Sequence, residues 1–209
     1  GMGPKKKKAE IAAYATMVKS IDDNVQRILD YLEEAGLRDN TVIVFASDNG
    51  FNSMQSTNKN LRGAKGAVYD GGLRVPALVN WPRRVQAARN VTPVHGLDLA
   101  GVDDYHGTLD GESWLPLMRG EALEERPLFW HIASRYKNPP CSMIRKGKWK
   151  LIQYLKDGKT ELYNTEKDLD ESEDLSRTHP EMAQQLLNEL VEWRRRNEVP
   201  LPPSSRLKE

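Results

Sequence analysis

Thr41-Val-Ile-Val-Phe-Ala-Ser-Asp-Asn-Gly50 is an apolar, β-branched run that ends abruptly in an Asp-Asn-Gly turn. Its apolar positions are continuous rather than alternating, which predicts a strand buried on both faces, as in a parallel sheet covered by helices. Upstream, Ile11, Tyr14, Val18, Ile21, Val25, Ile28 and Leu32 recur at spacings of three and four. That period predicts an amphipathic helix over 10–35, stopped by Gly36 just past its end. Helix, short loop and buried strand make the αβ half of a βαβ unit. Downstream, 51–59 is rich in Asn and Ser and reads as a loop, and Gly63, Gly66, Gly71 and Gly72 mark bends or close backbone approaches. A second strand is expected over 75–81, closed by Pro82.

The remainder is of a different kind. Residues 92–117 hold only short apolar pieces and read mostly as connection, and the polar stretch 119–126 reads as a boundary. Short strands are expected over 142–145, 148–154 and 160–163, with Asp157-Gly158 as a hairpin signal between the last two. Strands in succession without helices predict an antiparallel sheet. A final amphipathic helix over 180–196 places Met182, Leu186, Leu190 and Trp193 on one face, with Thr178 and Glu181 spaced as a capping box. The proline-rich end, 199–209, is expected to be loose. The fold class is therefore α/β: a partial mixed sheet with flanking helices over 9–120, then a small antiparallel α+β subdomain over 121–199.

Composition narrows the partners. Thirty-one Lys and Arg stand against 30 Asp and Glu in 209 residues, so no basic field favours nucleic acid. No apolar run is long enough to span a membrane. The single cysteine, Cys141, permits no internal disulfide. Lys5 to Lys8 form a short basic run best read as a solvated arm, and Gly1 before Met2 reads as an expression-tag remnant. No apolar h-region follows Met2, so no secretory signal is expected within this sequence, and the compartment stays open.

Chemistry converges on the end of the first strand. Asp48 and Asn49 set a carboxylate beside an amide oxygen at a strand's C-terminal edge, where open α/β sheets bind ligands. Such oxygens suit a hard cation such as Ca²⁺ or Mg²⁺, although two are too few for a complete Ca²⁺ site, and Asp-Asn-Gly is also a common turn. Lys65, in Leu61-Arg-Gly-Ala-Lys-Gly66, can bring an ammonium group to an anion because the glycines clear its approach. A flexible loop with a solvated charge is the plainer reading of the same residues.

In order along the chain, Tyr14-Ala-Thr-Met-Val, Asp22-Asp-Asn-Val, Asn40 to Gly50, Leu61 to Gly66 and Gly71-Gly-Leu-Arg-Val-Pro76 resemble the second half of the sulfatases. Arg126-Pro-Leu-Phe-Trp130, Ile144-Arg-Lys-Gly-Lys-Trp-Lys-Leu-Ile152 and Glu161-Leu-Tyr-Asn164 are similar to that family's C-terminal subdomain. The resemblance runs from about Tyr14 to Trp193. It implies that Asp48 and Asn49 are the later pair of Ca²⁺ ligands and that Lys65 contacts the sulfate and stabilises developing charge. It also implies a formylglycine nucleophile in a C/S-x-P-x-R motif and an early Asp-Asp metal pair. Neither occurs here in its place.

Local look-alikes fail. Asp22-Asp23 lies mid-helix, where an acidic pair is solvated. Cys141-Ser-Met-Ile-Arg145 has Met143 where the motif needs proline, and reads as a strand. His95, His106, His131 and His179 show no metal spacing, and the family's catalytic histidines lie upstream of the matched region. After His95-Gly-Leu-Asp-Leu99 the chain passes almost directly to Ala100-Gly101, so a helix usual in the family is expected to be shortened or lost.

The expected function is thus a sulfuric ester hydrolase piece that contributes half of a Ca²⁺ site and a sulfate-contacting lysine, inactive alone. Its substrate would be a sulfate ester once an N-terminal half complements it. The alternatives are a non-catalytic binding or structural module, as a homo-oligomer, and a phosphoester or phosphonate hydrolase piece of the same superfamily. An exposed strand edge and exposed apolar faces are also expected. Full-length relatives are often exported.

Overall fold

The computed structural model describes residues 4–53, 60–82, 94–95, 112–113, 115–133, 138–203, 205 and 207. It divides into two compact units, one of residues 1–12, 47–76 and 125–209, the other of 13–46 and 77–124. The division is not linear: the segment carrying Asp48, Asn49 and Lys65 belongs with the C-terminal sheet.

The unit of 13–46 and 77–124 is built on the helix α1 (Pro4–Glu34) from residue 13 onward, a 3₁₀ turn at Arg38–Asn40, and the strands β1 (Ile43–Ala46) and β2 (Ala77–Asn80). It also holds β3 (Val94–His95), β4 (Glu112–Ser113) and the helix α3 (Leu115–Met118). The helix stops as its sequence predicts. Gly36 takes φ +66, the Gly36 amide donates to Glu33 O at 3.0 Å and the Leu37 amide to Leu32 O at 2.9 Å, closing a Schellman motif.

Three expectations are corrected in this unit. The helix begins at Pro4 and takes in the lysine run, rather than starting at residue 10. Its half-covered face is Tyr14, Val25, Leu29 and Leu32, whereas Ile11, Val18, Ile21 and Ile28 are exposed. The seven-residue stripe is wider than the surface available to cover it. Finally, β1 is neither parallel nor buried. It pairs antiparallel with β2, Ile43 opposite Asn80 and Ala46 opposite Ala77. Val44, Phe45 and Leu78 stand in solvent, Leu78 at 63%. Continuous apolarity identifies a strand meant for two-sided cover, but cover comes from neighbouring elements, and the described residues supply little. These exposed side chains accord with the apolar faces expected from the sequence.

The other unit holds a four-stranded antiparallel sheet in the order β5 (Leu128–Ile132), β6 (Cys141–Lys146), β7 (Trp149–Tyr154), β8 (Thr160–Asn164). Three of these strands match the sequence reading within a residue or two at each end. The fourth, β5, begins within the Arg126-Pro-Leu-Phe-Trp130 motif, runs on to Ile132, and is too short to show a period of its own. The turn after β7 uses Gly158 at φ +78, and Asp157 Oδ1 accepts the Lys159 amide at 3.1 Å.

Alternation along the strands divides the core into two faces. Ile144, Leu151 and Leu162 pack against Ala183, Leu186 and Leu190 of α4 (Pro180–Arg196), joined by Met182 and Trp193. On the opposite face Cys141, Met143, Ile152 and Tyr163 enclose Val68 and pack against Tyr69. Because both faces are covered, β7 is buried throughout its centre, Lys150 included. Phe129 and Trp193 stack in parallel 4.9 Å apart.

Two expectations about the C-terminal region change. The N-cap of α4 is His179, with Pro180 at the first helical position; Thr178 Oγ1 instead donates to Leu175 O at 3.2 Å, so the capping box does not form. Pro180 has no amide to satisfy, and its fixed φ suits the first helical position. The tail is not loose throughout, since Ser205 Oγ donates to Leu155 O at 2.7 Å. The readings of residues 96–111, including His106 and the shortened helix, lie outside the described residues.

Candidate functional site

After β1 the backbone turns at Ser47, whose Oγ donates to Asn49 O at 2.9 Å while its amide reaches Pro76 O at 3.3 Å. This turn presents Asp48, exposed, and Asn49, half-exposed. Gly50 is buried and donates its amide to Gly72 O at 3.0 Å. A Cβ at Gly50 would sit 1.9 Å from Gly71 O, so only glycine admits this approach.

The Gly-rich segment is a folded loop. Gly63 and Gly66 take φ +79 and +84, and the Gly71 amide returns to Arg62 O at 2.7 Å, closing the loop on itself. The Lys65 amide donates to Phe51 O at 2.9 Å. The Asp48-Asn49 turn and the Lys65 loop, which lie apart in the sequence, are therefore stitched by two backbone bonds, Gly50 to Gly72 and Lys65 to Phe51. The Lys65 side chain is exposed.

The loop rests on the second face of the antiparallel sheet. Arg62 Nη1 donates to Glu171 O at 2.7 Å and to the Tyr163 hydroxyl at 3.2 Å, and its guanidinium lies 3.7 Å above the Tyr69 ring. Asn138 Nδ2 donates to Gly66 O at 2.7 Å. The loop continues into α2 (Asp70–Leu73), whose first residue is buried. Asp70, Lys150 and Glu171 form a buried charged cluster beneath it. Sequence reading missed these three residues. The available signal is Lys150 itself, a lysine within the apolar strand Trp149–Tyr154.

Other candidates take structural places. Cys141 is fully buried, and burial pushes its thiol up to about 12, well outside the range of a nucleophile. His131 Nδ1 shares a hydrogen bond with Ser142 Oγ at 2.8 Å, and His179 packs near the Trp149 ring. Asp22 and Asp23 sit on the exposed side of α1, where Asp23 pairs with Lys19. Among the described residues no group of three or more His, Cys, Asp or Glu is placed to hold a metal ion. The oxygens that this turn offers are the Asp48 carboxylate and the Asn49 amide oxygen. They fit part of a Ca²⁺ coordination sphere in chemistry and exposure, but do not complete one.

The fold defines a class, the mixed α/β proteins with a C-terminal antiparallel subdomain. Residues 1–101 match the sulfatase family, and residues 64–196 match the family described as N-sulphoglucosamine sulphohydrolase, C-terminal. The chain belongs to the sulfatase family. It is 30% identical over 224 residues to a sulfatase of Formosa agariphila, covering 90% of this chain and 40% of that one. It is 34% identical to mouse steryl-sulfatase over 59% of this chain and 23% of the relative. Its structure resembles the crystal structure of Ps i-CgsB at 29% identity and a TM-score of 0.77, covering 97% of this chain and 47% of the other. The chain therefore spans less than half the length of these relatives. Sulfuric ester hydrolysis is the chemistry of the family to which it belongs.

Proposed function

We propose that this chain supplies the cation-binding and sulfate-contacting part of a sulfuric ester hydrolase site. Asp48 and Asn49 would furnish two oxygen ligands to a Ca²⁺ ion, and the Lys65 ammonium would face the sulfate oxygens. When bound, the cation supplies electrostatic stabilisation of charge that builds on the sulfuryl oxygens. Lys65 adds a fixed positive charge to the same oxygens, and the flanking glycines leave room for the ester to approach. The nucleophile must come from outside these 209 residues, which contain no C/S-x-P-x-R motif. The reading therefore includes complementation by a polypeptide carrying that motif, and little or no turnover by this chain alone.

The observation that carries the reading is the double backbone stitch between the Asp48-Asn49 turn and the Lys65 loop. It joins the two motifs with which the sequence resembles the family's metal and sulfate ligands. The test is a nitrogen-15 NMR titration of the full chain with CaCl₂ and, separately, sodium sulfate. Calcium is expected to shift the amides of Asp48 and Asn49, and sulfate those of Lys65 and Gly66, with Lys65→Ala abolishing only the sulfate response. Shifts confined to other regions with both ions, or rapid aryl sulfate hydrolysis by this chain alone, overturn the proposal.

A further inference from the structure

The Lys150 ammonium is enclosed on β7, 2.9 Å from Asp70 Oδ1 and 2.7 Å from Glu171 Oε1. Asp70 follows Lys65 in the Gly-rich segment, and Glu171 lies in the turn after β8. The two acidic residues are also joined directly, because Glu171 Oε2 accepts the Asp70 amide at 2.6 Å. Arg145 Nη1 stands 4.0 Å from Asp70 Oδ2, giving the Asp70 carboxylate a second cation beside Lys150. Glu171 holds a left-handed backbone, φ +48, a conformation that a non-glycine residue keeps only when its surroundings compensate. Its carbonyl receives Arg62, and its carboxylate receives Lys150 and Asp70. Burial pushes the Glu171 carboxyl up, against the pull of the adjacent ammonium.

These bonds fall on both sides of Lys65. Arg62 is tied to Glu171 and Tyr163, and Asp70 to Lys150 and Glu171, so the intervening loop is pinned to the sheet at each end. A buried ion cluster is a weak source of net stability, since desolvation offsets most of its attraction, and apolar side chains of the same size would pack as well. What charged hydrogen bonds add is direction: they admit one register of the loop on the sheet, where an apolar contact would permit sliding.

We propose that Lys150, Asp70 and Glu171 are positioning residues that hold the Lys65 segment in one register on the C-terminal sheet. In this way they set where the Lys65 ammonium stands relative to the Asp48-Asn49 turn. The sulfate-facing part of this inference rests on the function proposed above; the pinning of the loop does not.

The experiment compares the full chain with Lys150→Met and Glu171→Gln. Glu171→Gln leaves Lys150 paired with Asp70 and serves if Lys150→Met does not fold. Two quantities are read, the rate of tryptic cleavage after Lys65 and the sulfate-induced NMR shift at the Lys65 amide, with urea unfolding as the global reference. Each folded variant is expected to be cut after Lys65 at least about tenfold faster than its global unfolding allows. Each is also expected to bind sulfate at least about tenfold more weakly, as a lost charge-assisted contact costs at least that much. Cleavage that is unchanged, or that rises only in step with global unfolding, overturns the pinning. Faster cleavage in the variants, in a chain whose Lys65 never responds to sulfate, supports the pinning and overturns the proposed function instead.

Discussion

The Gly50 amide donates to the Gly72 carbonyl at 3.0 Å, and this bond brings the Asp48-Asn49 turn against the loop that carries Lys65. The approach is so close that the neighbouring Gly71 carbonyl oxygen would lie 1.9 Å from a methyl group placed on Gly50. Gly50→Ala must therefore move one backbone segment away from the other. It should lower stability by about 1–3 kcal/mol, the usual cost of forcing extra volume into a packed site. Urea unfolding measures that loss. Calcium titration of the same variant should show a weaker response at Asp48, even though Asp48 itself is intact.

Lys65→Ala separates function from stability. The side chain is exposed, so its removal should change unfolding free energy by less than about 0.5 kcal/mol. Any loss of sulfate response in this variant then belongs to the ammonium group, and an equal loss in urea midpoint would show that Lys65 has a structural place instead.

Two leucines should respond oppositely. Leu190 is fully buried between α4 and the sheet, and Leu190→Ala should cost about 2–5 kcal/mol. Leu78 is 63% exposed on β2, and Leu78→Ser should leave stability nearly unchanged while improving solubility. Denaturant unfolding and sedimentation check both; a large destabilisation by Leu78→Ser would mean that another surface covers β2 in solution.

Acid should loosen the C-terminal unit. Burial raises the Glu161 carboxyl, but Lys159 and the hydroxyls of Tyr163 and Tyr154 outweigh it and hold the group below its ordinary value. Asp174 is likewise held down, its burial outweighed by the amides of Ser176 and Leu162. A folded-state value below the unfolded one means that the unfolded chain binds these protons more tightly. The resulting stability is present above the unfolded carboxylate range, about pH 4, and is lost as pH falls through the lower folded values. Glu171, raised by burial, has the opposite sign, so the test is residue-specific. Asp174→Asn and Glu161→Gln should each flatten the fall of the urea midpoint between about pH 5 and 2; an unchanged profile removes that group from the account.

Cys141 should resist thiol reagents in the native state, since it is fully enclosed on β6 and burial pushes its thiol up to about 12. Labelling should proceed at the rate at which the unit opens and should become fast in denaturant. Fast labelling of the folded chain would contradict the packing of this face.

The sequence by itself determined the elements and the chemical types. The period of α4, the Gly36 stop, the strands β6 to β8 and the Asp-Asn-Gly turn are local, set by side-chain spacing and backbone freedom within a few residues. Asp48, Asn49 and Lys65 were legible as candidates because their motifs stand in a recognisable order. Only the tertiary structure decided how they are joined. The bonds from Gly50 to Gly72 and from Lys65 to Phe51 link segments whose contact leaves no periodic trace. The same holds for Lys150, whose partners Asp70 and Glu171 lie 80 and 21 residues away. Burial, too, was a tertiary outcome: β1 reads as a strand for two-sided cover and stands exposed, because cover is a property of neighbouring elements and not of the strand's own residues.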